Sequence, residues 1–215
     1  MTQIRRIPTV LALAAALAAA ACQKPKPEAA AGAPAAQAAQ PGQGDSLPVV
    51  VLETTKGRIV MQLDRKKAPQ TVENILAHVN AHFYDGLVFH RVVRGFVIQA
   101  GELTSAGMVK QSSAPPVPNE ADNGLRNVRG SVALARMPDP QSGGVQFYVN
   151  VVNNPALDFK DSTAAGFGYC VFGKVTQGMD VVDRISVVPT TRQGEFQELP
   201  VEPVVISRAY VQETK

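Results

Sequence analysis

The stretch FHRVVRGFVIQAG, residues 89–101, alternates apolar and polar side chains in two short runs around a turn. That is the pattern of two half-buried strands. Strict alternation puts Phe89, Arg91 and Val93 on one face and His90 on the other. An arginine among apolar neighbours is costly unless it is paired or used. Gln99 adds a neutral polar group to the second run. Before it, PVVVLETTKGRIVMQL (48–63) predicts a hairpin around Thr55-Lys56-Gly57. APQTVENILAHVNAH (68–82) predicts a helix, with Pro69 in its first turn and Val72, Ile75, Leu76 and Val79 as one apolar stripe. Further strands are expected near 88–93, 96–100, 131–135, 145–150 and 169–175, a second helix over MDVVDRI (179–185) and a last strand in VEPVVISRAYV (201–211). Many short strands with few helices predict a mainly-β antiparallel barrel or sandwich.

The first 46 residues follow another pattern. Arg5 and Arg6 precede an uncharged run from Val10 to Ala21. The run is short for a bilayer span and suits the apolar core of a secretory signal. IRRIPTV lacks the rest of a twin-arginine motif, which favours general secretion. Ala19-Ala20-Ala21 followed by Cys22 resembles a bacterial lipobox, with Ala19 where leucine is common. The competing reading is an ordinary signal with Cys22 as a bystander. Acylation of Cys22 by two or more chains would anchor the protein stably to a membrane without a span. Gln23 is not the aspartate associated with inner-membrane retention, so the resemblance implies the outer membrane, facing the periplasm. The expected organisation is a signal peptide at 1–21, a lipidated cysteine with a flexible Ala/Pro/Gln tether at 22–46, and one domain at 47–215.

Composition adds exclusions. At 215 residues, 45% hydrophobic and 18% charged, there is room for one sizeable core. The net charge is +3, and without Arg5 and Arg6 it is 19 basic against 18 acidic residues. No basic run remains, so no nucleic-acid partner is expected. Cys170, the only other cysteine, lies in an apolar run and is expected to be a buried, unreactive thiol. The chain has no P-loop, no G-x-S-x-G elbow and no cysteine pair at zinc spacing. His78 and His82 stand four apart on the predicted helix without an acidic third ligand, so they are expected to be exposed face residues. Neither metal nor cofactor is expected.

Four segments taken in order carry more. FHRVVRGFVIQAG, NEADNGLRNVRGSVALAR (119–136), VQFYVNVV (145–152) and GYCVFGKVTQGMDVVDRI (168–185) resemble a cyclophilin, most of all the periplasmic cyclophilins of Gram-negative bacteria. The resemblance spans nearly all of residues 47–215. It implies a closed eight-stranded antiparallel barrel capped by two helices, and peptidyl-prolyl cis-trans isomerase activity on proline-containing, unfolded or partly folded polypeptides. It implies Arg91, Phe96 and Gln99 as catalytic residues. It also implies Val97, Leu134, Ala135, Arg136, Gln146, Tyr148, Phe159 and Tyr169 as substrate-binding residues around the proline ring, the groove and its rim. A monomer is expected. Taken singly these residues have plainer roles: Arg91 as an ion-pair partner, Phe96 and Tyr148 as core aromatics, Gln99 as a rim amide satisfying backbone groups.

Two positions, Phe159 and Tyr148, depart from common family patterns, whereas Tyr169 is a residue that bacterial relatives often carry. Phe159 stands where many eukaryotic members carry tryptophan, which implies weak cyclosporin binding. Tyr148 stands where phenylalanine is usual, and its added hydroxyl needs a partner or a route to water. Tyr169 stands where many eukaryotic members carry histidine. The competing functions are a peptide-binding holdase with incidental isomerase activity, and a structural envelope lipoprotein with an occluded groove.

Overall fold

The computed structural model describes residues 47–212. Cys22, the signal and the tether lie outside the described residues. The elements in chain order are β1 (Val49–Thr54), β2 (Gly57–Leu63), α1 (Pro69–Asn80), β3 (Leu87–Val93), β4 (Val97–Thr104), β5 (Ser131–Leu134) and β6 (Phe147–Asn150). They continue with β7 (Val171–Gln177), α2 (Met179–Ser186), β8 (Thr190–Gln193), β9 (Phe196–Pro200) and β10 (Ile206–Gln212). Eight strands form one antiparallel sheet in the order β10-β1-β2-β7-β5-β6-β4-β3. Its ends nearly close into a barrel: Gly86 N–H donates to Ile206 O at 2.8 Å and Phe89 N–H to Val204 O at 3.0 Å. The mainly-β barrel with two helices is thus the expected fold. Among the described residues no helix is long and apolar enough to cross a membrane.

The barrel is filled by inward side chains such as Leu52, Ile59, Met61, Phe89, Ile98, Phe147 and Phe172, all at most 1% exposed. Each such side chain contributes about 1.5–3 kcal/mol when fully buried. Helix α1 buries Val72, Ile75, Leu76 and Val79, the predicted stripe. Its N-terminus has no side-chain cap of its own. The Glu120 carboxylate caps it instead, accepting from Gln70 N–H (3.1 Å), Thr71 N–H (2.9 Å) and Thr71 Oγ1 (2.7 Å). This satisfies orphan donors and places negative charge at the positive end of the helix.

The structure alters three expectations. Helix α1 stops at Asn80, and His82 beyond it takes the left-handed region at φ 54°. His78 is buried and bonded to Asn74 O and Ser112 Oγ, both at 2.7 Å, while His82 pairs with Asp85, so the two histidines serve different neighbours. Beyond the eight barrel strands, β8 and β9 form a separate hairpin beside β3. Every residue of β8 is exposed, which explains why hydrophobic alternation gave no sign of it. Strand β3 is also bulged: Phe89 pairs with Ala100, but Arg91 pairs with Gln99. The extra residue breaks the period of two. Phe89 and Val92 therefore both join the core, while Arg91 leaves it.

Candidate active site

A second, smaller apolar cluster lies apart from the main core. Val97, Ala133, Tyr148 and Val171 are buried in it, and Phe96, Leu125, Ala135, Leu157 and Tyr169 pack on them half-exposed. Strand register explains why these residues meet. Arg91 on β3 faces Gln99 on β4, Gln99 faces Tyr148 on β6, Tyr148 faces Ala133 on β5, and Ala133 faces Val171 on β7. One transverse row across five strands thus runs from a cation through an amide to an apolar hollow.

The Arg91 guanidinium carbon lies 5.9 Å from the Phe96 ring centroid. Its Nε lies 3.6 Å from Glu198 Oε2 on β9, with both side chains over a third exposed. Gln99 Nε2 donates to Gln146 Oε1 at 2.8 Å. Ala135 N–H donates to Gln146 O at 2.9 Å, so Gln146 links the Gln99 side chain to the groove edge. Gly101 allows this approach. Its φ is +112°, and a Cβ there would lie 2.7 Å from Val145 O and 2.8 Å from Gln146 Cα. Only glycine fits that backbone and that gap.

The Tyr148 ring meets Tyr169 edge to face at 5.9 Å. Its hydroxyl has the partner the sequence requires: it donates to Asn127 Oδ1 at 2.8 Å. Burial pushes that phenol well above its ordinary pKa, so it stays a neutral donor. Arg136 lies over the Tyr169 ring at 4.7 Å and donates through Nε to Gly168 O at 2.8 Å, which clamps the rim loop.

Two expected wall residues lie elsewhere. Leu134 sits in the main core against Gly143, whose added Cβ would meet Leu134 Cδ2 at 2.6 Å. Period-two alternation in SVALAR already forbids Leu134 and Ala135 from sharing a face. Phe159 packs on the main core and meets Phe167 edge to face at 5.4 Å, while Leu157 joins the apolar cluster. Phe96, Val97, Gln99, Ala135, Gln146, Tyr148 and Tyr169 are brought together with Arg91, and Arg136 borders them.

Clefts flank the Gln99–Gln146 bond. One of about 510 Å³ is bordered by Asn74, Lys110, Pro116, Met137 and Gln146. Another of about 440 Å³ is lined by His90, Arg91, Gln99, Glu102, Glu195 and Glu198. His90 therefore shares the Arg91 cleft, because the bulge turns Arg91 to the side that His90 already faces. Its Nε2 lies 3.5 Å from Glu102 Oε2, and its ring meets Phe196 at 5.8 Å. Burial, then the neighbouring Arg91 charge, lowers its pKa to about 4. The Glu102 carboxyl is raised by burial and then by Glu195.

An arginine, an amide and an apolar cluster are thus aligned on the outer face of an eight-stranded barrel. The family model for the cyclophilin type peptidyl-prolyl cis-trans isomerase matches residues 49–211, and the chain belongs to that family of isomerases. A peptidyl-prolyl cis-trans isomerase of Streptomyces antibioticus is 49% identical over 162 residues, which are 75% of this chain and 97% of that protein. Peptidyl-prolyl cis-trans isomerase A of Dickeya dadantii is 46% identical over 162 residues, 75% of this chain and 83% of that one. Peptidyl-prolyl cis-trans isomerase B of Escherichia coli is 44% identical over 165 residues, 77% of this chain and all of that one. Among solved structures, a cyclophilin type isomerase of Cryptosporidium parvum shares the fold at a TM-score of 0.64 and 20% identity, covering 79% of this chain and 99% of that one.

Proposed function

We propose that this isomerase acts on X-Pro bonds of unfolded or partly folded proteins in the periplasm, tethered through an acylated Cys22 to the outer membrane, and that Arg91 assists the rotation. The transverse row carries the reading, because it sets one cation beside a half-exposed apolar cluster. Rotation about the bond is opposed by amide resonance, a barrier of about 18–20 kcal/mol. Twisting removes the resonance and returns a lone pair to the prolyl nitrogen. A donor fixed at that nitrogen binds the twisted state better than the planar one. Arg91 is that donor, and a guanidinium stays protonated at physiological pH.

One charge-assisted hydrogen bond contributes about 1.5–3 kcal/mol, or about one to two decades in rate. The apolar walls supply the rest. The twisted amide has less charge separation than the planar one, so a water-poor hollow lined by Phe96, Val97, Tyr148 and Leu157 favours it. Gln99 and Gln146, paired to each other, offer their remaining polar atoms to the substrate backbone. Residues 23–46, rich in alanine, proline and glutamine, give the domain reach from the membrane.

The test is isomerisation of an X-Pro peptide by wild type, Arg91→Ala and Arg91→Lys. The alanine variant is expected to lose one to two decades of kcat/KM, and lysine to restore little, since it lacks the planar fork. Equal rates for wild type and Arg91→Ala would remove the arginine from the mechanism. For the anchor, Cys22→Ser is expected to shift the protein from the membrane to the soluble periplasmic fraction, or to stall it unprocessed. Unchanged fractionation would count against acylation.

A further inference from the structure

The segment NEADNGLRNVRGSVALAR contains one residue that the isomerase reading leaves unused. Asn127 is 1% exposed, and two of its hydrogen-bond partners are also buried: Asn150 is 0% and Tyr148 3% exposed. Its Oδ1 accepts from the Tyr148 hydroxyl at 2.8 Å and from Asn150 Nδ2 at 3.2 Å. Its Nδ2 donates to Leu157 O at 3.1 Å and to Asp158 Oδ1 at 3.2 Å, and its backbone N–H donates to Asp158 Oδ1 at 2.7 Å. Two donors on one side and two acceptors on the other fix the amide in a single orientation.

The connections continue to the opposite wall. Asn150 Oδ1 accepts from Asn154 Nδ2 at 2.7 Å, and Asn154 Nδ2 also donates to Phe96 O at 3.1 Å. Leu157 O takes a second donor, Tyr169 N–H, at 3.0 Å. Tyr148, Leu157, Tyr169 and Phe96 are four members of the apolar cluster around the hollow. Tyr148, Leu157 and Phe96 bond directly, through a side-chain hydroxyl or a backbone carbonyl, to a chain of three buried asparagines, and Tyr169 joins it through Leu157 O. Asn127 is the node where the tyrosine floor and the leucine rim meet.

We propose that Asn127 is a positioning residue for the proline pocket: through the Tyr148 hydroxyl it fixes the ring that sets pocket depth, and so tunes selection of the five-membered ring. The proposal rests on the isomerase reading of the site. A tyrosine held only by packing can tilt, whereas one bonded to a fixed amide cannot. Fully satisfied buried networks rigidify what they touch.

The test uses the full chain as wild type, Tyr148→Phe, Asn127→Ala and the double variant. Exchange NMR would measure kcat/KM for a peptide carrying proline and for one carrying pipecolate, the six-membered homologue. Asn127→Ala is expected to lose about tenfold on proline, and to shrink the proline-to-pipecolate ratio by about threefold. The double variant is expected to lose little more than Asn127→Ala, because the two groups act through one bond. A purely structural role would lower both substrates alike. Equal losses on the two peptides, or single-variant losses that multiply in the double variant, overturn the proposal. If Asn127→Ala does not fold, Tyr148→Phe decides, since it removes the bond and keeps the ring. A reduced ratio in that variant supports the proposal, and an unchanged ratio overturns it. An inactive wild type would overturn the isomerase reading itself, and the positioning role with it.

Discussion

Acid should weaken this fold through His90, and the size of the effect follows from its surroundings. The side chain is only 4% exposed, with Glu102 at 3.5 Å from Nε2 and no hydrogen-bond partner at Nδ1 among the described residues. The charged groups facing it are Arg91, Glu102, Glu195 and Glu198, which line the same cleft. Burial and the Arg91 charge lower its pKa from 6.5 to about 4. Between those values the folded imidazole binds fewer protons than the unfolded one, so stability rises with pH across the window. The contribution is complete above pH 6.5 and is lost as the pH falls toward 4. The full shift corresponds to about 3 kcal/mol at 1.36 kcal/mol per unit, of which about 2.5 kcal/mol is lost by pH 4.5. Glu102 acts in the opposite sense: its raised pKa makes the folded state bind extra protons just above the ordinary carboxylate range. Comparison with His90→Gln cancels that term and the remaining carboxylates. Urea unfolding at pH 7.5, 6.5, 5.5 and 4.5 is the assay. Wild type should lose about 2.5 kcal/mol more than His90→Gln over that range, with half or more of the excess appearing by pH 5.5. Parallel loss in the two proteins would refute the assignment of the acid limb to His90.

Two other substitutions or treatments probe the same region and the core beneath it. Gly101→Ala forces a side chain into φ +112° and against Val145 O, so stability should fall by at least about 2 kcal/mol, and kcat/KM should fall as Gln146 is displaced. Thermal melts and the peptide assay would read this, and wild-type values in both would disprove the close-packing argument. The Cys170 thiol is buried and pushed up to about 12, chiefly by desolvation, so iodoacetamide at pH 8 should leave it unmodified in the native protein and label it in urea. Rapid native labelling, read by mass spectrometry, would contradict its burial.

Local pattern was enough for some elements and not for others, and the division has a physical basis. The α1 stripe buries apolar groups at helical spacing, and the first hairpin and the central barrel strands are short runs of buried, mostly apolar residues, so both kinds of element are visible in the chain. In the β8–β9 hairpin β8 is exposed throughout and β9 is only partly buried beside β3, so its residues carry no such pattern. The apolar cluster was legible only in part. Val97, Gln99 and Tyr148 lie on β4 and β6, which pair without a register shift, and Phe96 lies in the turn just before β4, so family resemblance places them near one another. Leu157 was missed and Phe159 taken in its place because both lie in a loop after β6, where no repeat tells one side from the other. Asn127 was missed because buried polar networks have no hydropathy signature; only the unmet hydroxyl of Tyr148 pointed toward it.

The bulge in β3 unites these observations. In a regular strand, Arg91 would share the face of Phe89 and point into the barrel, where an arginine would need burial and a buried partner. One inserted residue reverses that outcome: Phe89 stays inside, Val92 joins it, and Arg91 turns to the cleft beside His90. The same step opposes Arg91 to Gln99 and so sets it in the row that ends in the apolar hollow. The acid sensitivity assigned to His90 follows in part from the same insertion: alternation already turns the imidazole away from Phe89, and the bulge brings the Arg91 guanidinium to the same side. The bulge that brings the guanidinium to the site also sets it against a neutral imidazole.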